Sequence, residues 1–206
     1  MIDEELAAYY DKMYQECRDH FISPILGFLP TSLVPQLGGV LDIGCGSASN
    51  SIELARRNFC ITCFDISSVA VAALEDLAGR EHLPLIAKRV DILQEGIQQN
   101  YAIIICSFVL HHLMCADGKK LIDEMRKRTI PGGVNIVTAH TTNGHFFQSG
   151  LVAENYYPEP WELHAAYSDW KFCFYEEAIA QGGTFEDGSP MYNQNSYLLA
   201  QKPAAP

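Results

Sequence analysis

Val40-Leu41-Asp42-Ile43-Gly44-Cys45-Gly46-Ser47-Ala48-Ser49-Asn50 is the stretch from which the organisation of this chain is read. A short apolar run ends in a turn with two glycines, and glycine permits both a left-handed backbone and close approach to a ligand. Residues 40–43 predict a buried strand. Residues 49–57 predict a helix in which Glu53 pairs with Arg57 at i+4. The unit then repeats. Residues 60–65 read as a second strand, and the segment from Ser67 or Ser68 to Gly79 as a capped helix. Residues 83–90 predict a third strand with a bend near Pro84, and residues 101–110 a fourth around Ala102-Ile103-Ile104-Ile105. A helix over 117–128, with Asp123/Lys127 and Glu124/Arg128 pairs, leads through Pro131-Gly132-Gly133 to a fifth strand at 134–139. Strands that are apolar throughout and alternate with helices imply an α/β, doubly wound, mostly parallel sheet with helices on both faces. Ligands bind such sheets at the carboxyl ends of the strands, near the topological switch point. The search for chemistry narrows to residues 42–50, Asp65, Asp91 and residues 106–112.

The 206 residues predict a single domain, and 48% hydrophobic content supports a real core. Fourteen basic against 25 acidic residues give a net charge of −11, which argues against nucleic-acid or anionic-membrane partners. Seven cysteines, Cys17, Cys45, Cys60, Cys63, Cys106, Cys115 and Cys173, are scattered rather than framed, and read as reduced and mostly buried. The acidic start and the absence of an 18-residue apolar run predict a soluble, cytoplasmic chain, monomeric or homodimeric. No metal site is expected. Cys60 and Cys63 resemble a metal pair, but at i and i+3 of a strand they face opposite sides.

The glycine turn alone fits two cofactor classes. A dinucleotide turn needs Gly-x-Gly-x-x-Gly, and its last position here is Ser49. Asp42 at the end of the strand suits a cationic ligand and suits a pyrophosphate badly. Asp65 follows the first glycine at about 20 residues, the spacing for an acid that grips ribose hydroxyls, and Asp91 ends the third strand where it can meet an adenine amino group. The ligand these features favour is S-adenosyl-L-methionine, with a nicotinamide-dependent oxidoreductase disfavoured.

With these motifs in order, followed by Ser107-Phe108-Val109-Leu110-His111-His112-Leu113 and Pro131-Gly132-Gly133, the chain resembles the class I S-adenosylmethionine-dependent methyltransferases. The resemblance implies a Rossmann-like, seven-stranded sheet ending in an antiparallel hairpin, for which residues 170–175 and 192–200 are candidates. It implies that Gly44, Cys45 and Gly46 hold the methionine end of the cofactor with Asp42, that Asp65 binds the ribose, and that Asp91, Ile66 and Ile92 meet the adenine. Asn50 and Ser107 complete the cofactor site. Ala48 stands at the usual third glycine. Within the class the chain resembles the tellurite-resistance methyltransferases, through Asn50-Ser51 and the set Glu162-Leu163, Tyr167, Trp170, Tyr175 and Glu177. That subgroup's His-Arg pair would fall at Gly182-Gly183-Thr184, where neither residue exists.

Four segments are expected. Residues 1–36 form a helical lid, 37–141 the cofactor-binding core, 142–168 an acceptor-pocket insertion and 169–202 the hairpin. Leu6, Tyr9, Tyr10, Met13, Tyr14 and Cys17 share one helical face, and the resemblance suggests that Tyr10 or Tyr14 touches the cofactor. The aromatics Phe146, Phe147, Tyr156, Tyr157 and Trp161 predict the wall of a pocket for a small-molecule methyl acceptor under a mobile cover. His111 and His112 are the catalytic candidates, because histidine titrates near neutrality; their plainer reading is support of a strand-to-helix junction. His140 and His145, after the fifth strand, read as solvent-facing loop residues rather than catalysts, although the resemblance implies that this loop can form an acceptor pocket. The competing reading is a protein that binds the cofactor without turnover.

Overall fold

The computed structural model describes residues 4–16, 23–150, 154–185 and 187–204. Its strands are β1 Val40–Ile43, β2 Ile61–Asp65, β3 Leu85–Arg89, β4 Tyr101–Ser107, β5 Thr129–His140, β6 Lys171–Thr184 and β7 Pro190–Gln201, in the order β3-β2-β1-β4-β5-β7-β6. β1 to β5 are parallel, and β7 enters antiparallel between β5 and β6. The order reverses between β1 and β4, which opens a crevice at their carboxyl ends.

Alternation along each strand feeds two cores. Val40, Ile103 and Ile105 pack on one face, and Leu41, Ile43, Ile104 and Cys106 on the other. Helices α2 Ser49–Arg56, α3 Ser68–Glu81 and α5 Cys115–Arg128 cross between strands, α4 Ile92–Glu95 follows β3, and α6 His145–Gln148 and α7 Glu162–Ala166 lie between β5 and β6. Helix α1 Glu4–Glu16 lies outside the sheet alternation. Among the described residues no helix is long and apolar enough to cross a membrane.

Several expected boundaries move. β4 stops at Ser107, because Phe108 takes a left-handed backbone (φ 55°) and a short 3-10 turn, Leu110–His112, follows. α3 passes Gly79 and ends at His82, itself left-handed at φ 52°. β5 begins earlier than expected: a register shift absorbs Pro131-Gly132-Gly133 between the pairs Tyr101↔Thr129 and Ile103↔Val134. The hairpin strands are longer than their apolar cores suggest, since β6 and β7 pair from Lys171↔Gln201 to Thr184↔Pro190. The cysteines divide evenly: Cys45, Cys63 and Cys106 are buried, whereas Cys60 and Cys115 are exposed and Cys173 is half-buried, and all six are free thiols. Cys17 lies outside the described residues.

Candidate cofactor and acceptor site

A cavity of about 590 Å³ opens at the switch point. Every residue expected to bind cofactor lines it: Asp42, Gly44, Cys45, Gly46, Asn50, Asp65, Ile66, Asp91, Ile92 and Ser107 from the core, and Tyr10 and Tyr14 from α1. His111 and His112 line it too. Its size suits a nucleoside cofactor with a small second ligand.

The turn after β1 forms its floor. Gly44 and Gly46 both have positive φ (61° and 51°), and a Cβ on Gly44 would lie 2.5 Å from Val109 Cγ2. Ala48, at φ 51°, holds the left-handed position just before α2. Asp65, 7% exposed at the end of β2, accepts from Gly46 N–H and Ser67 N–H, both at 2.8 Å, one on each oxygen. Burial raises its pKa, while these backbone bonds oppose the rise. Each carboxylate oxygen keeps a second lone pair for an incoming hydroxyl. Asp42, 4% exposed, accepts from Ser51 Oγ at 2.6 Å, and burial lifts its pKa to about 7. Such a carboxylate awaits a positive partner. Asp91 accepts from Leu93 N–H at 2.9 Å as the cap of α4, and Ile66 and Ile92 line the same cavity. Asn50 Oδ1 accepts from Ser23 N–H at 2.9 Å and ties the lead-in segment to α2.

Helix α1 covers the cavity. Leu6, Tyr10, Met13 and Tyr14 face it, whereas Tyr9 turns to solvent at 64% exposure. Asp11 fastens the helix to the start of α3: its carboxylate accepts from Ser67 Oγ at 2.6 Å, Ser68 Oγ at 2.9 Å and Val69 N–H at 3.1 Å. A second tie joins Glu4 to Arg89 at 2.7 Å.

Three imidazoles gather in the cavity lining. His111 lies 3.9 Å from His112 and 4.8 Å from His140 between ring centroids. Tyr10 Oη is 2.5 Å from His112 Nε2, linking the cover to this cluster. Burial drives the pKa of His111 down to about 2 and that of His112 to about 4, so the near-neutral titration expected of them is corrected: both are neutral rings and weak bases at pH 7. Nδ1 of His111 is buried without a hydrogen-bond partner among the described residues.

His140 is the residue the sequence misplaced. It is the last residue of β5, 9% exposed, and it lines the cavity. Phe108, inside the stretch 106–112 but given no role there, lines the cavity as well, and so do Thr138 and Tyr197, which were not anticipated. The described part of segment 142–168 contributes no lining residue; its rings back the histidines instead, with Phe146 edge-on to His140 at 4.8 Å and Tyr157 at 5.9 Å from His111. Trp161, counted among the wall aromatics, is 59% exposed. His145 accepts from Tyr192 N–H at 3.0 Å on the hairpin. No cluster of His, Cys, Asp or Glu among the described residues is arranged to hold a metal ion.

This strand order, with the glycine turn under one crevice and acids at the ends of β2 and β3, defines the class I S-adenosylmethionine-dependent methyltransferases. Residues 5–189 match the family model for the tellurite resistance protein TehB, and the chain belongs to that family. Hemagglutinin 1 of Eikenella corrodens is 31% identical over 168 residues, 79% of this chain and 54% of that protein. The probable S-adenosyl-L-methionine-dependent methyltransferase TehB of Haemophilus influenzae is 29% identical over the same length, 79% of this chain and 57% of its own. The chain thus spans little more than half the length of these relatives. The crystal structure of TehB from Haemophilus influenzae superimposes with a TM-score of 0.77 at 25% identity, covering 95% of this chain and 66% of that one.

Proposed function

We propose that this chain catalyses methyl transfer from S-adenosyl-L-methionine to a small-molecule acceptor, leaving S-adenosyl-L-homocysteine. The observation that carries the reading is the Asp65 carboxylate, held by two backbone N–H groups beside a glycine turn and facing the covered cavity. The residues fit the cofactor. Asp65 has lone pairs left for ribose hydroxyls, Asp91 with Ile66 and Ile92 offers an adenine slot, and the positive-φ glycines leave room for a methionine tail beside the uncompensated Asp42. When bound, the cofactor supplies an electrophilic methyl group on a sulfonium. The chain's own work is positioning and exclusion of water: the turn and Asp65 orient one reactant, the histidine cluster faces the other, and α1 with Tyr10 and Tyr14 closes over both. Alignment of this kind contributes roughly 7–11 kcal/mol to such displacements.

On this reading residues 1–36 are the lid, 37–141 bind the cofactor, 142–168 support the acceptor end, and 169–202 complete the sheet. His111 and His112 act as neutral hydrogen-bonding walls of the acceptor site. The reaction is cytoplasmic, in a monomer or homodimer without nucleic-acid or membrane partners, consistent with a net charge of −11. Binding without turnover is the second reading. It is favoured by Gly182, where the subgroup's His-Arg pair would begin: a Cβ there would lie 2.6 Å from Asn193 Nδ2. The same observation counts against a tellurite oxyanion as acceptor. Calorimetry with S-adenosylmethionine, S-adenosylhomocysteine and NAD tests the cofactor; binding of NAD alone refutes the proposal. Release of S-adenosylhomocysteine with a panel of small acceptors and chalcogen oxyanions separates turnover from binding.

A further inference from the structure

Of the three cavity histidines, one is oriented as a base requires. His140 Nδ1 lies 2.7 Å from Oδ1 of Asn195, its register partner across β5 and β7. Asn195 is oriented in turn, since its Nδ2 donates to Tyr197 Oη at 3.2 Å. An amide oxygen only accepts, so the proton of neutral His140 sits on Nδ1 and the lone pair on Nε2. Nε2 has no hydrogen-bond partner among the described residues, and the ring lines the cavity. His112 differs: its Nε2 is already engaged by the Tyr10 hydroxyl, so whichever of the two donates, that nitrogen presents no bare lone pair to the cavity. His111 Nδ1 is buried with no hydrogen-bond partner among the described residues, so nothing there fixes its tautomer.

The surroundings of His140 also describe an acceptor. The rings of Phe108 and His111 each lie 4.8 Å from it. Phe108 is held in a left-handed backbone that a bulky residue seldom adopts, which keeps its ring on the cavity. Flat apolar faces beside a lone pair suit a flat acceptor that donates a proton. Asp42, Asp65 and Asp91 line the same cavity and oppose one that arrives as an anion.

Resting on the methyltransferase reading, we propose that His140 is the catalytic base, taking at Nε2 the proton of a neutral hydroxyl or thiol acceptor, with Asn195 as its positioning residue. The acceptor's O–H or S–H bond breaks and its proton passes to Nε2. The freed electron pair forms the bond to the methyl carbon supplied by the sulfonium donor, and the C–S pair stays with sulfur as a thioether. The positive charge moves from sulfonium to imidazolium, whose Nδ1–H remains on Asn195. The titratable groups facing His140 are His111 and His112, with Tyr197 reached through Asn195. Burial lowers the pKa of His140 and the Asn195 bond works against that, so the base is free at neutral pH.

Imidazole ¹⁵N spectra of the full chain with S-adenosylhomocysteine provide a readout that needs no acceptor. The signal lost in His140→Gln should show protonated Nδ1 and bare Nε2; a protonated Nε2 overturns the inference. Asn195→Asp places a carboxylate on Nδ1 and should move both the His140 titration and the acid limb of kcat/KM up by about one pH unit or more. An unmoved titration counts against Asn195. With a catechol and a benzylic thiol, both neutral at pH 7, as acceptors, His140→Gln should retain cofactor affinity and lose turnover by about 100-fold or more. Unchanged turnover overturns the base, and methylation of neither probe by the unaltered chain overturns the acceptor class. Failure of the unaltered chain to bind S-adenosylmethionine would instead sink the methyltransferase reading, while the tautomer is still read.

Discussion

Asp42 and Asp65 end neighbouring strands, yet their surroundings divide their duties. Asp65 is satisfied by two backbone N–H groups before any ligand arrives, so it is a preformed acceptor. Asp65→Asn keeps one oxygen for the backbone and offers an amide where an acceptor is wanted. It should weaken cofactor affinity by ~1.5–3 kcal/mol, the range for a hydrogen bond to a charged group; unchanged affinity in calorimetry would remove Asp65 from the site. Asp42 has one hydroxyl partner, and burial takes its pKa from an ordinary 3.8 to about 7. A raised carboxylate pKa favours folding fully below the unfolded value, and that contribution is lost as pH rises through the folded one. Asp42→Asn should therefore unfold at higher denaturant at pH 8, by roughly 1–3 kcal/mol, with the gain growing from about pH 4 and levelling above about 7. The same change should weaken binding of a sulfonium ligand. Binding to the unaltered chain near pH 7 should release a proton, visible as a buffer-dependent calorimetric enthalpy. If stability at pH 8 does not rise, Asp42 is not the uncompensated charge described here.

Helix α1 belongs to the site only through what fastens it. The Asp11 carboxylate sits on the amino end of α3, where helix dipole and unpaired N–H groups favour a negative charge, and its hydrogen bonds hold its pKa below the usual range. That attachment persists above the ordinary carboxylate pKa and is lost as pH falls through the lowered value. Asp11→Ala should speed proteolysis within α1 and weaken cofactor binding without a large loss of sheet stability; equal cleavage rates would show that α1 is held by its apolar face alone. The apolar face of α1 was legible in the sequence, apart from Tyr9, because i, i+3, i+4 spacing is a local signal, and so were β1 and β4, which are apolar on both sides. The carboxylates followed because a parallel sheet delivers every strand end to one edge. His140 was not legible. The apolar pattern of its strand stops at Ala139, and what extends β5 by one residue is pairing with Asn195, 55 positions away. The lengths of β6 and β7 were hidden for the same reason, since partner strands rather than local composition carry Ile179 and Gln194 into register. Phe108 lay in the searched stretch 106–112, but its left-handed backbone escaped because a left-handed aromatic has no sequence signature.

On the proposed reading the sheet joins two halves with separate tasks: β1 to β4 would present the cofactor groups, while β5 and β7 carry His140 and Asn195. What ties Tyr167 to the sheet is a buried polar chain whose residues do not line the cavity. Asn135 Nδ2 on β5 donates to Tyr167 Oη at 2.8 Å, and Thr129 Oγ1 stands 2.5 Å from Asn135 Oδ1 and 2.7 Å from Met125 O. Tyr167 is fully buried, with the Arg126 guanidinium 5.4 Å from its ring. Tyr167→Phe preserves the packing and strips Asn135 of its acceptor, so it should destabilise the fold by about 1–3 kcal/mol, or roughly 2–10 °C in Tm for a domain of this size. Tyr167 does not line the cavity, so cofactor binding should be untouched. Ligand at about 100 times Kd adds about 2.7 kcal/mol to the folded state, and distant, independent effects add. Saturating S-adenosylmethionine should then raise stability by the same amount in Tyr167→Phe as in the unaltered chain, when both are measured by denaturant unfolding. A smaller increment in the variant would mean that the segment behind the histidines and the cofactor cleft form one cooperative unit, and that the division of labour across the sheet is wrong.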